Sequence, residues 1–458
     1  MKKVMRNAAL LSLVCIMSLG AAGCGAKPDT TSTTSTTDTA TSETKETPKT
    51  TETPKIPEKV TIKVFSNVPD RTAGQGKLEQ LLLDNYVKEN PNVEIVVEAL
   101  QDEPYKQKFK TYAASNQLPD LLAVWGQPAF FNPVMESGYV EELKADDYKD
   151  YNFFNGSLDG FSLNGKIYGL PRNTDSMVLY YNKQIFEQNN VKVPETFEEL
   201  ITATKAFREK GIAPCAMNGK DRWPIAVLYH DLVIKNGGDQ KLMYDALYGN
   251  KDFATEPVYL KAAQDIKLLM DNKFFQDSFI SADYGAANNL FGQGKAAMYY
   301  MGSWEASMAT NEAFPVEFRE NMDVIPFPVI AGGKGKVTDI PAWNGGGYAV
   351  SSNSPVKEEA IKLLNYMMKP ENWAKNAWEL GVTVPAQKYA EYLTGKETIV
   401  QTKITQILDS STSISATPWN DLKTPNFKTA SEDLIQSLAA GVITPEEFVK
   451  GAQEAATE

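Results

Sequence analysis

Residues 60–125 switch repeatedly between two hydropathy periods, and this limits the fold more than any other feature of the chain. Val60, Ile62 and Val64 alternate with Thr61 and Lys63 and lead into Phe65, the period of two that marks a strand. Leu78, Leu81, Leu82 and Tyr86 then recur at helical spacing. Pro91 breaks the chain, Val93–Val97 reads as a second strand, and Tyr105, Phe109 and Tyr112 mark a second helix. Asp120–Trp125 is a third strand. Strand, helix, strand, helix, strand implies parallel pairing through crossover helices. Ligands of such sheets sit beyond the carboxyl ends of the strands, so the loops after Phe65 and Trp125 are the first places to look for a site.

A second block begins near Asn173. Met177–Tyr181 reads as a strand, and Thr196 with Glu199 forms a capping box that opens a helix. Helices are expected at Pro224–Lys235 and Val258–Asn272, and a strand at Asp323–Pro328. A loop is expected at Ala331–Lys336, and a helix running to Met368 after Ser354-Pro355. A second capping box, Thr444 with Glu447, opens the terminal helix. No internal repeat is present.

The 458 residues allow two domains, and 42% hydrophobic content is enough for sizeable cores. His230 is the only histidine, so multi-histidine metal sites are excluded and a Ser-His-Asp triad would have to use that one residue. With 46 basic against 58 acidic residues, the net charge of −12 argues against a nucleic-acid partner. Three cysteines, two within the first 24 residues, exclude a disulfide framework and Cys-rich zinc sites. Cys215, among Ile212, Ala213, Pro214, Ala216 and Met217, reads as a buried, inert thiol.

The first residues read as an address. Lys2, Lys3 and Arg6 precede an apolar run, Ala8–Leu19, that is too short to span a bilayer comfortably. Small residues and Cys24 follow. This resembles a bacterial lipoprotein signal (residues 1–23), although Ala21 stands where Leu is commonest. The resemblance implies acylation of Cys24 and attachment to the extracytoplasmic face of a membrane. Removal of Lys2, Lys3 and Arg6 takes the net charge from −12 to −15. Residues 24–59 are Thr-rich, lack aromatic residues and carry Ile56 as the one large aliphatic. Such a segment cannot bury enough apolar surface to fold, so it reads as a disordered tether spanning roughly 30–35 Å.

Several stretches, in order, resemble the extracellular solute-binding proteins of ABC sugar importers, the family that includes maltose-binding protein. They are Leu118–Trp125, Asn164–Pro171 followed by Tyr180–Lys183, Val193–Leu200, Phe291–Met298 with Gly302-Ser303-Trp304, and Gly345–Val350. The resemblance covers roughly residues 60–458. It implies an α/β, two-lobed periplasmic-binding-protein-like fold (type II), with the ligand in a cleft between lobes joined by crossover strands. The first lobe would be 60–172 plus 340–395 and the second 173–339 plus 396–458. The function implied is capture of a carbohydrate, an oligosaccharide from the number of aromatics, and its delivery to ABC permease subunits. No cofactor and no catalysis are implied, and a monomer is expected. The predicted lipobox and long tether suit a Gram-positive cell best.

A sugar ring has an apolar face and a belt of hydroxyls, so its site needs flat aromatic platforms and amide or charged partners. In the family, aromatics at the positions of Trp125, Trp223, Trp304 and Trp419 face the sugar, and a carboxylate at the position of Asp175 grips it. Trp343 is a further candidate platform. Asn67 and Asp70, in the loop after the first strand, are polar candidates, with Gln127, Arg172, Asn344 and Asp421. Gly345, at the start of a glycine run, would allow close backbone approach to a ligand. Trp373 and Trp378 read as packing residues, Asp120 as a brace for its strand, and His230 as a surface or boundary residue.

Gly74-Gln75-Gly76-Lys77 is no P-loop, because Arg71 stands where the first glycine is required. Gly345–Gly347 lacks dinucleotide-binding spacing. Two competing readings are a secreted glycoside hydrolase, which needs two carboxylates across a cleft, and a receptor for a non-sugar solute.

Overall fold

The computed structural model describes residues 59–249, 251–411 and 417–458. The leader and nearly all of the tether lie outside the described residues.

Strand β1 (Val60–Ser66) pairs in parallel with β2 (Val93–Ala99) and with β3 (Leu121–Trp125). The intervening helices, Gly74–Glu89 and Asp102–Ala114, bury Leu78, Leu82, Leu83, Tyr105 and Phe109 against the sheet. Tyr105 stacks on Phe65 with centroids 4.0 Å apart and donates its hydroxyl to the Ala123 carbonyl at 2.6 Å. One polar group in this core has a built-in partner set. Glu79, fully buried, accepts from Arg71 and from the Tyr348 hydroxyl at 2.5 Å. Asp120 braces its strand, accepting from the Lys63 amide at 2.7 Å and the Ser354 hydroxyl at 2.6 Å.

A hairpin of β4 (Ser162–Leu163) and β5 (Lys166–Ile167) follows. Asn164 and Gly165 both have positive φ, 52° and 77°, as a two-residue hairpin turn requires. Strand β6 (Leu170–Pro171) still belongs to the first sheet, but β7 (Thr174–Asn182) belongs to a second one. All nine residues of β7 are buried. In that sheet β8 (Ala213–Ala216) runs parallel to β9 (Ala296–Gly302). Strands β9, β10 (Met322–Ile325) and β11 (Ala342–Asn344) run antiparallel to β7. Strand β12 (Gly346–Val350) then returns to the first sheet, antiparallel to β3 and β6. The chain changes sheets at Arg172–Asn173 and again at Gly345. Two α/β lobes linked by crossover strands result.

Element ends differ from the sequence reading for physical reasons. β10 stops at Ile325 because Pro326 and Pro328 have no N–H for a ladder. β7 extends back to Thr174, which puts Asp175 on a strand. Ser354 caps a turn, not the helix; its Oγ accepts from the Val356 amide at 3.1 Å, and the helix starts at Lys357. Thr196 accepts from the Glu199 amide, but the Glu199 carboxylate takes the Glu195 amide, so half of that capping box forms. The Thr444–Glu447 box is complete.

His230 corrects an expectation. It lies in helix Trp223–Gly237, which is buried from Pro224 to Lys235, and it is 1% exposed, not at the surface. Neither ring nitrogen has a hydrogen-bond partner among the described residues, and burial pushes its pKa down to about 3. It is a neutral packing residue. Cys215 is fully buried, and burial raises its thiol far above the reactive range.

Candidate functional site

A cavity of about 440 Å³ lies between the two sheets, within the range of pockets that enclose a small ligand. Its lips touch. Helix Gly74–Glu89 meets the turn Ser303–Ala309, and helix Pro128–Glu136 meets both the turn Trp419–Asp421 and helix Pro425–Ala439.

The loops beyond β1 and β3 line it, as the carboxyl-end rule requires. Asn67, Asp70, Trp125 and Gln127 all border the cavity. So do Arg172 at the first crossing, Asp175 on β7, Trp223, Trp304, Trp343 and Asp421.

Three indoles form a continuous aromatic wall. Trp304 lies 5.9 Å from Trp223 and 6.3 Å from Trp343, centroid to centroid. Trp343, 3% exposed, buttresses Trp304 edge-on. The Trp304 ring folds back over Gly302, where any Cβ would sit 2.0 Å from it, so that glycine is a condition for the platform. The Trp304 Nε1–H donates to the Tyr284 hydroxyl at 2.9 Å, and Tyr284 donates in turn to Glu305. Asn288 holds the other Glu305 oxygen at 2.7 Å. The Trp223 indole N–H has no partner among the described residues. Trp125 stands on the facing wall, edge-on to Tyr105 and Phe130, with the Lys106 ammonium 5.0 Å above its ring.

The polar groups are tied to one another. Arg172 donates to Asn67 Oδ1 at 3.0 Å and to Asn173 Oδ1 at 3.2 Å, and its guanidinium lies 5.5 Å from the Tyr348 ring. Asn173 donates to Asp175. Burial pushes Asp175 up to about 7 against the opposing pull of Arg172 and Asn173, and burial pushes Glu305 up to about 8. On the lips, Lys106 is bound to Asp102 and Glu103, and Lys428 to Asp421 and Glu432.

Three expected positions fall elsewhere. Trp419 is fully buried; its Nε1 donates to the Ala226 carbonyl at 2.9 Å and its ring packs on Tyr229, Phe253 and Phe427. It belongs to the core because its N–H finds a backbone acceptor there. Asn344 turns away and donates to the Gly156 carbonyl at 2.7 Å. A Cβ on Gly345 would stand 1.9 Å from the Asp175 carboxylate and one on Gly346 2.7 Å from the Arg172 guanidinium, so these glycines make room for protein side chains.

The sequence reading missed Lys106, Tyr284, Asn288, Glu305, Ser307 and Lys428, all of which border the cavity. Glu305 and Ser307 could have been sought through their neighbour Trp304; the others carry no motif. Among the described residues no group of three or more His, Cys, Asp and Glu side chains is placed to hold a metal ion.

The profile of the bacterial extracellular solute-binding protein family matches residues 69–372. The chain belongs to that family, whose members work outside the cytoplasm. A solved structure from work on xylan utilization by the thermophilic bacterium Caldanaerobius polysaccharolyticus is 32% identical. It superposes with a TM-score of 0.79 over 86% of this chain and 99% of that one. A chitin oligosaccharide binding protein shares the fold at a TM-score of 0.75, with 24% identity over 87% of this chain and 98% of its own. The multiple sugar-binding protein of Streptococcus mutans serotype c is 24% identical over 319 residues, 68% of this chain and 71% of its own length.

Proposed function

We propose that this protein captures a short oligosaccharide outside the cell and delivers it to an ABC permease by binding, lobe closure and hand-over, without covalent chemistry. One observation carries this reading. The Trp223–Trp304–Trp343 wall and the polar set of Asn67, Arg172 and Asp175 face one cavity, which gives a sugar both an apolar platform and hydroxyl partners. The names of the multiple sugar-binding protein and the chitin oligosaccharide binding protein, both binders, support the absence of catalysis. The 32% identical chain makes a xylo-oligosaccharide the first ligand to try.

The lobes are taken as residues 60–172 plus 345–395 and 173–344 plus 396–458, the boundary expected at 340 moving to Gly345 because β11 pairs with β7. Closure would be a hinge motion at the crossover strands, and the closed form is the one a permease can distinguish. Cys24 would carry the lipid anchor on the outer face of a Gram-positive membrane. The tether would hold a monomeric receptor at high local concentration near its permease.

The test is incubation of the folded domain with neutral oligosaccharides. A receptor shifts its tryptophan fluorescence, melts at higher temperature and leaves the glycan intact. A hydrolase generates reducing ends, and that outcome would replace this reading with the enzymatic one.

A further inference from the structure

We propose that the cleft selects uncharged oligosaccharides and rejects those bearing a uronic acid, because both lysines that border it are already paired with acids and its one arginine is buried and engaged by protein amides. This rests on the oligosaccharide reading above.

Three cations border the cavity, Lys106, Arg172 and Lys428. Each is committed. Lys106 Nζ lies 3.0 Å from Asp102 Oδ1 and 2.8 Å from Glu103 Oε1, and its side chain is 15% exposed. Lys428 Nζ lies 2.7 Å from Asp421 Oδ1 and 2.8 Å from Glu432 Oε1, with 19% exposure. Each ammonium thus serves two carboxylates, and each cluster is net negative. Arg172 is held by Asn67 and Asn173, lies over the Tyr348 ring and is 4% exposed. Burial works against both lysine charges, but their paired acids hold both pKa values above the ordinary lysine value, so both remain charged and occupied.

Five acids border the same cavity: Asp70, Asp102, Asp175, Glu305 and Asp421. A neutral sugar suits this wall, because its hydroxyls donate to carboxylates. A ligand carboxylate would lose hydration on entry and find, among the described residues, no lysine free of a carboxylate partner, only Asp70 and the two net-negative clusters around Lys106 and Lys428. Burying a charge without a partner is strongly unfavourable, and discrimination by an unpaired charge exceeds what shape alone provides. Glu103 and Glu432, which do not border the cavity, act as specificity residues by keeping the two lysines occupied.

The experiment is isothermal titration of the folded protein with three matched probes. These are xylotriose, xylotriose bearing one glucuronic acid branch, and the methyl ester of that branched compound. Equivalent triplets on cello- and malto-oligosaccharides are run in parallel. The expected result is saturable binding of the neutral probe, at least a hundredfold weaker binding of the acid, about 2.7 kcal/mol, and recovery of most of that loss by the ester. Acid and neutral probes of equal affinity would overturn the proposal. So would an ester rejected as firmly as the acid, since size would then be the cause. Failure of every neutral probe to bind would instead sink the oligosaccharide reading itself. As a second arm, Glu103→Gln and Glu432→Gln each remove one of the two carboxylates that hold a lysine, leaving its charge balanced by a single acid. Either should raise acid-probe affinity about tenfold, with neutral affinity held within about twofold. Glu103 is partly exposed, so its variant guards against a folding defect in the other. No gain from a folded Glu103→Gln protein would remove the lysine-pinning mechanism.

Discussion

On the side of the cleft that springs from β1 and β3, a single indole, Trp125, stands among polar groups that are bound to one another. Asn67 is held by Arg172, and Lys106 lies over Trp125 between two carboxylates. On the side built from β7, β9 and their helices, the ligand meets indoles, with the polar groups set behind them: Tyr284 and Glu305 behind Trp304. The first side can orient hydroxyls, and the second can supply contact area. The difference teaches that aromatic residues near a cleft are not equivalent. Trp304 presents a face to the cavity, whereas Trp419, on the same side, is locked in the core.

Exchanging these two tryptophans for alanine separates the roles most sharply. Trp419→Ala empties a fully buried site and should cost about 3–5 kcal/mol of stability, read by denaturant unfolding, with glycan affinity of the folded fraction unchanged. Trp304→Ala should do the reverse: little change in unfolding midpoint and at least tenfold weaker glycan binding, about 1.4 kcal/mol, by fluorescence titration. If both variants behaved alike, the distinction between platform and core would be wrong.

A smaller effect is expected behind the platform. Tyr284→Phe removes the acceptor for the Trp304 indole and a donor to Glu305. It should weaken binding about threefold to tenfold, roughly 1 kcal/mol, while Trp304→Ala in the same background adds less than it does alone, because the two act through one ring.

A separate effect concerns pH. Glu305 is pushed up to about 8 by burial. Between the unfolded carboxylate value of about 4.3 and about 8, the folded protein therefore binds a proton that the unfolded chain has released. Stability from this group falls as pH rises through that window and levels off above it. Asp175, pushed up to about 7, adds a fall that ends lower. Glu305→Gln should flatten the decline in melting temperature between pH 5 and 8. An unchanged slope would show that Glu305 ionises normally.

The polar side of the cleft was legible in the sequence, and the aromatic side was legible only in part. β1 to β3 announce themselves by period, and the carboxyl-end rule then points to Asn67, Asp70 and Gln127 without reference to any relative. Trp304 was found through resemblance. Tyr284 and Asn288 sit on helix Tyr284–Gly292, Lys106 on helix Asp102–Ala114 and Lys428 on helix Pro425–Ala439. What makes them site residues is the opposite lobe, hundreds of residues away in the chain, and no local pattern records it. Trp419 too was a candidate through resemblance, and the Ala226 carbonyl that satisfies its N–H in the core lies 193 positions earlier. His230 misled because a helix buried all round can carry a neutral imidazole.

The most direct measurement is a calorimetric titration of the folded domain with neutral oligosaccharides, followed by analysis of the recovered glycan. The account predicts saturable one-to-one binding, a raised melting temperature and an unaltered glycan. The absence of saturable binding to any of them, or the appearance of new reducing ends, would contradict it.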